Sequence, residues 1–196
     1  VAKAAAEAAT SQVMGYTDSF GVLALREKIA EHYANYYGVE SIPAGRIVVT
    51  TGSSAAFLLT FTACFDVGDV VAVASTGYPC YRNILSALGI TLCHIGINAD
   101  FKLTAKELRT EIERRQNENL PPIKGLILSS PSNPTGAMLT PEELRELCSL
   151  TDENDIQFLS DEIYHGISYG SEEATSLQFS DNTIVINSFS KFYSSK

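Results

Sequence analysis

Ser188-Phe189-Ser190-Lys191 places a lysine just past an apolar run. A primary amine held against hydrocarbon at a strand end is suited to imine formation with an aldehyde, whereas an exposed lysine is the ordinary alternative. Ser160-Asp161-Glu162-Ile163-Tyr164 sets a carboxylate at the end of a second apolar run, with a phenol three residues on. Such a carboxylate needs a partner if it is buried and is a solvated loop acid otherwise. Ser130-Pro131-Ser132-Asn133-Pro134-Thr135-Gly136 is a rigid turn that would hold the Asn133 amide in one orientation, although Asn-Pro turns are common. Thr51-Gly52-Ser53-Ser54 opens an apolar helical stretch. Its hydroxyls and unpaired N–H groups outline a phosphate cradle, and on its own it reads first as an ordinary serine N-cap. Neither G-x-G-x-x-G nor G-x-x-x-x-G-K-[ST] is present.

Elements that could carry these groups alternate along the chain. Helical periodicity predicts helices over 22–37, 55–65 and 78–88. β-Branched or apolar runs bounded by turn residues predict strands at 47–51, 70–74, 91–95, 125–129, 156–160 and 183–187. Two further helices are signalled by capping boxes: Thr104 with Glu107, and Thr140 with Glu143 behind Pro141. The segment 116–122 ends in two prolines and reads as a surface loop. Strands alternating with helices predict an α/β domain, a three-layer sandwich whose mainly parallel sheet is covered by helices on both faces. Its functional loops lie at the carboxyl ends of the strands.

Charge and composition exclude several classes. The 196 residues carry 14 Lys+Arg against 23 Asp+Glu, a net charge of −9. That balance argues against nucleic acid as the main ligand, because phosphate binding along a duplex needs clustered cations. With 45% hydrophobic and 19% charged residues, the chain can bury a core. No run of roughly 18 apolar residues suggests a membrane span. Cys64, Cys80, Cys93 and Cys148 form no C-x-x-C pair, and His32, His94 and His165 form no ligand cluster, so a metal site has little support. Free thiols in apolar runs fit a reducing, cytoplasmic setting.

In chain order the notable segments are Gly15-Tyr16-Thr17, Gly21 with Leu25-Arg26, Thr51-Gly52-Ser53, Gly77-Tyr78-Pro79, Asn133-Pro134-Thr135-Gly136, Asp161-Glu162-Ile163-Tyr164 and Ser188-Phe189-Ser190-Lys191. Their combination is far more specific than any member. Over essentially its whole length the chain resembles the class I and II pyridoxal-phosphate-dependent aminotransferases, which have the aspartate aminotransferase fold (fold type I). The resemblance implies that Lys191 forms the internal aldimine with pyridoxal 5'-phosphate and then moves the substrate's α-proton. It implies that Asp161 keeps the pyridine nitrogen protonated and that Asn133 and Tyr164 hydrogen-bond the phenolic oxygen. Tyr78 would stack on the ring, while Gly52, Ser53, Ser54 and Ser188 would hold the phosphate. Tyr16 would reach a phosphate in the neighbouring subunit of a homodimer. Asn133–Pro134 is implied to be cis, Lys196 does not fit the lysine motif, and Thr76 and Ser195 depart from the family pattern without removing a chemical group.

The chain begins at Val1, ends at Lys196 and reads as a fragment. Residues 1–196 would form most of the cofactor-binding large domain. The N-terminal arm, the end of the large domain and the small C-terminal domain would be absent, and the family's phosphate-binding arginine would fall after Lys196. The implied activity moves an amino group between an amino acid and a 2-oxo acid in two half-reactions. C–S lyases, aminocyclopropane-carboxylate synthases and some decarboxylases share this core, and related domains serve as sensors in bacterial transcription regulators. These remain alternatives to the transferase at this point.

Overall fold

The computed structural model describes residues 1–13, 15–40 and 42–193, and the chain divides between Thr50 and Thr51 into two units. In the first unit, α1 (Ala2–Ser11) is an alanine-rich helix with no buried residue. The periodicity gave no sign of it: alanine favours helix intrinsically but marks no apolar face. The second helix, α2 (Leu23–Tyr37), ends on Gly38 in the left-handed conformation and buries Arg26, Tyr33 and Tyr37. Arg26 donates to the carbonyls of Gly21 at 3.1 Å and Ala44 at 2.9 Å. Gly21 has φ +93, and a Cβ there would lie 2.6 Å from that of Val49, so only glycine allows the close approach.

The strand expected at 47–51 does not form. Ile47 has extended backbone angles, but Val48 is half exposed, and the Val49 N–H bonds to the Phe20 carbonyl at 2.9 Å without continuing into a ladder. β-Branched side chains favour extension; a strand also requires a neighbour to pair with.

The second unit is built on α3 (Ser53–Cys64), β1 (Val70–Ala74), α4 (Pro79–Ala87), β2 (Thr91–Ile95), α5 (Ala105–Asn117), β3 (Ile123–Ser129), α6 (Pro141–Glu153), β4 (Gln157–Asp161) and β5 (Ile184–Ile186). Both capping boxes form as the sequence predicts, at Thr104 and at Thr140. The five strands are all parallel, in the order β2-β1-β3-β4-β5.

Successive strand residues point to opposite faces, which splits the core in two. Val71, Val73, Ile127, Leu159 and Ile186 pack with Phe57 and Phe61 of α3 and Tyr81 and Leu85 of α4. Val70, Ala72, Leu126, Leu128 and Phe158 pack with Leu108 of α5 and with Leu144, Leu147 and Cys148 of α6. The sheet is therefore the middle of three layers. All four cysteines are free, with Cys93 and Cys148 buried. No helix among the described residues is long and apolar enough to cross a membrane.

Candidate active site

The strand order reverses beside β1. From β1 the chain moves outward to β2, then returns to place β3 on the other side of β1. A crevice opens at such a switch point beyond the carboxyl ends of the strands. Tyr78 follows β1 and Asn133 follows β3, one on each side of the switch. Asp161 ends β4, in register with Ser129 of β3 and Ile186 of β5, and the chain beyond Ile186 carries Ser188 and Lys191.

These loops enclose a cavity of about 190 Å³ whose polar wall includes Ser53, Asn133, Asp161, Tyr164, Ser188 and Lys191. Tyr78, Tyr81, Ile163 and Ser190 complete it, and among the described residues Lys191 is the only cation in the lining. It opens beside a wider cleft of about 600 Å³ that shares Asn133 and Tyr164. The Asn133 amide donates to the Tyr164 hydroxyl at 3.2 Å, and the Lys191 ammonium lies 5.4 Å from the Tyr164 ring centroid. Asn133–Pro134 is cis, as is Ser130–Pro131. Lys191 is exposed and not enclosed by hydrocarbon: β5 ends at Ile186, before it, and the face of the Tyr164 ring lies beside its ammonium.

Asp161 is 2% exposed. Alternation along β4 turns it to the same face as Leu159, toward α3 and α4, while Ser160 and Glu162 face the opposite way. Its Oδ1 accepts the Ile163 N–H at 3.2 Å, and its Oδ2 accepts the hydroxyl of Tyr81. Burial pushes the carboxyl up to about 6, with these two donors acting in the opposite direction. Burial and the adjacent carboxylate push the Tyr81 phenol well above the usual range, so it stays a donor.

The structure gathers Ser53, Tyr78, Asn133, Asp161, Tyr164, Ser188 and Lys191 around one space. Gly52 is the N-cap of α3 with φ +96, and a Cβ there would meet nothing within 4 Å. Ser54 is exposed and accepts a weak hydrogen bond from the Cys80 thiol at 3.8 Å, outside the cavity lining. Tyr16 belongs to the first unit and is fully exposed. Ser195 and Lys196 lie outside the described residues. No sequence motif points to Tyr81. It stands one helical turn beyond Tyr78, and their rings meet edge to face with centroids 5.6 Å apart. The i, i+3 spacing across the start of α4 was the available signal.

Residues 1–196 match the family described as aminotransferase class I and II. The chain is 46% identical over 197 residues to the valine–pyruvate aminotransferase of Mycobacterium tuberculosis, covering 98% of this chain and 48% of that protein. Among solved structures it resembles an aminotransferase from Mycobacterium tuberculosis with a TM-score of 0.90 and 44% identity, covering 98% of this chain and 49% of that one. A mutant of Thermus thermophilus aspartate aminotransferase superimposes with a TM-score of 0.87 at 28% identity, covering 96% of this chain and 50% of that one. The chain thus spans about half the length of the curated relatives it matches.

Proposed function

Because the chain belongs to the class I and II aminotransferase family, we propose that it supplies most of the cofactor-binding large domain of a pyridoxal-phosphate-dependent aminotransferase, acting on an amino acid and a 2-oxo acid. The observation that carries this reading is the meeting of a buried carboxylate, an amine and an amide–phenol pair in one cavity at the strand ends. The names of the matched relatives favour amino transfer over the lyase and sensor alternatives.

The residues fit pyridoxal phosphate. The raised carboxyl of Asp161 shows a buried acid that a cation opposite would stabilise as its anion. The open space before Gly52 and the start of α3 suits a phosphate, since glycine adds no side chain to cap the first turn. When bound, the cofactor supplies an electron-withdrawing ring that accepts the charge left on the substrate's α-carbon.

Asp161 holds a proton at the pyridine nitrogen, and Tyr81 keeps that carboxylate oriented. Lys191 would anchor the cofactor and would take the substrate's α-proton at Nζ and pass it on, not back to the α-carbon. Asn133 and Tyr164 supply polar hydrogens for the phenolic oxygen, and Tyr78 covers a ring face. Gly52, Ser53, Ser54 and Ser188 hold the phosphate. Tyr16 serves a neighbouring subunit in a homodimer, and the setting is cytoplasmic.

Borohydride reduction in the presence of pyridoxal phosphate, followed by peptide mass spectrometry, tests the reading. The expected result is one stable adduct on Lys191, lost in Lys191→Ala while the far-ultraviolet circular dichroism is unchanged. Label spread evenly over surface lysines would count against it.

A further inference from the structure

Strand β5 ends at Ile186, so its ladder does not hold Lys191 in place. The segment that carries the lysine closes on itself. The Ser188 N–H donates to Asn187 Oδ1 at 2.7 Å, and the Ser190 N–H donates to the Ser188 hydroxyl at 3.0 Å. The Tyr193 ring packs against Phe189 and Phe192, with centroids 5.3 and 5.0 Å apart. Residues 187–193 therefore behave as one piece, and a contact made by Phe192 is felt at Lys191.

That piece rests on the turn after β4. The turn is built from short-range bonds: the Ile163 N–H to Asp161 Oδ1 at 3.2 Å, the His165 N–H to the Glu162 carbonyl at 3.1 Å, and the Ile167 N–H to the Tyr164 carbonyl at 3.3 Å. The His165 ring ties it to its surroundings, with Nε2 2.9 Å from the Ser130 carbonyl oxygen and Nδ1 3.6 Å from Glu162 Oε2. At the next residue, the Gly166 N–H donates to both carboxyl oxygens of Glu173, at 2.9 and 3.0 Å, and the Ser168 hydroxyl donates to the same group. Gly166 has φ +88, which side chains rarely adopt, and the Phe192 ring covers its Cα. A Cβ there would lie 2.8 Å from Cδ2, 2.9 Å from Cγ and 3.2 Å from Cε2 of that ring. Glycine alone meets both demands. Two neighbours on the segment, Lys191 and Phe192, thus rest on Tyr164 and Gly166 of the turn, the ammonium 5.4 Å from the Tyr164 ring centroid.

We propose that Gly166 is a positioning residue for Lys191: it is the socket in which Phe192 seats, and that seat sets where the Lys191 amine stands over Tyr164 and the cavity. Glu173 supports the socket by holding the Gly166 amide, so that the bare Cα faces the ring. A reacting amine must sit close to its attack geometry, and a misplacement of about 1 Å can cost about 10²-fold in rate. A side chain at position 166 would push the Phe192 ring outward and carry Lys191 with it. The positioning role rests on the function proposed above; the seating of Phe192 on Gly166 does not.

The seating is read without cofactor. In NMR of protein labelled in glycine and phenylalanine, the Gly166 α-protons should show nuclear Overhauser contacts to the Phe192 ring, assigned through Phe192→Ala; absence of those contacts overturns the proposal. Positioning is read from the rate at which a borohydride-trapped pyridoxal phosphate adduct accumulates on Lys191, in a cycle of Gly166→Ala and Phe192→Ala with folding checked by circular dichroism. Gly166→Ala should slow that rate about tenfold or more when the ring is present, and less than about threefold once Phe192→Ala has removed it. Binding of pyridoxine 5'-phosphate, which carries an alcohol in place of the aldehyde and forms no adduct, should be unchanged in all three variants. Equal slowing with and without the ring would assign the effect to backbone strain alone and overturn the positioning role. Parallel loss of pyridoxine 5'-phosphate binding, the mark of a generally disrupted site, would overturn it too. Phe192 is half exposed, so Phe192→Ala opens no core cavity and serves alone if Gly166→Ala does not fold. That single variant should slow the adduct about tenfold, and a wild-type rate overturns the role. If the wild-type protein forms no adduct on Lys191, the role falls together with the proposed function, and the NMR contacts still decide the seating.

Discussion

Burial moves the Asp161 carboxyl from 3.8 to about 6, so between those values the folded chain keeps a proton that the unfolded chain has released. The folded state binds more protons in that window, and stability therefore falls as pH rises through it. A shift of about two units corresponds to roughly 3 kcal/mol. In cofactor-free protein, urea denaturation at pH 4 and pH 6.5 should show the wild type losing about 2 kcal/mol more than Asp161→Asn, most of the full shift because pH 4 already lies just above the unfolded value; an equal loss in both would contradict the burial argument. Tyr81→Phe removes a donor that favours the anion, and the same pH curve should shift to higher pH. At this scale the sequence named Asp161, Asn133, Tyr164 and Lys191 through local motifs. It missed Tyr81, because a tyrosine on an apolar helix face looks like core until its hydroxyl partner, far away in sequence, is known.

Local patterning accounts for the elements whose ends are fixed by their own side chains. Each capping threonine accepts a backbone N–H near the start of its helix, Thr104 from Lys106 and Thr140 from Glu143, and the glutamate at the third helical position accepts the cap N–H. Thr140→Ala should cost about 1 kcal/mol, readable as a lower urea midpoint with unchanged slope. Strands β1 and β2 match their expected bounds, since glycine-bounded apolar runs in a parallel sheet are legible from composition. The 47–51 run looks the same in sequence and forms no strand, because pairing is decided by what lies alongside. Gly166 shows the same dependence. It has φ +88, and a Cβ there would lie 2.8 Å from the Phe192 ring, so the turn after Tyr164 and the segment after Lys191 are fitted to one another.

At the scale of the whole second unit, the two core layers hold the strand ends in register. Phe61 is fully buried between α3 and the sheet. Phe61→Ala should lower the unfolding free energy by about 3–5 kcal/mol, measured by denaturant titration. Because α3 and α4 share that layer with Tyr81, the variant should also weaken pyridoxal phosphate binding in a fluorescence titration. By itself the sequence determined the α/β class, most of the elements and the residue types of the site, because hydrophobic period, capping boxes and short motifs are local properties of a chain. Only the tertiary structure decided the order β2-β1-β3-β4-β5, the side of the sheet to which Asp161 and Glu162 each turn, and the pairings of Asp161 with Tyr81 and Glu162 with His165. Those depend on which strands lie side by side and on how far buried charges are removed from water, and neither quantity is written in any single stretch of residues.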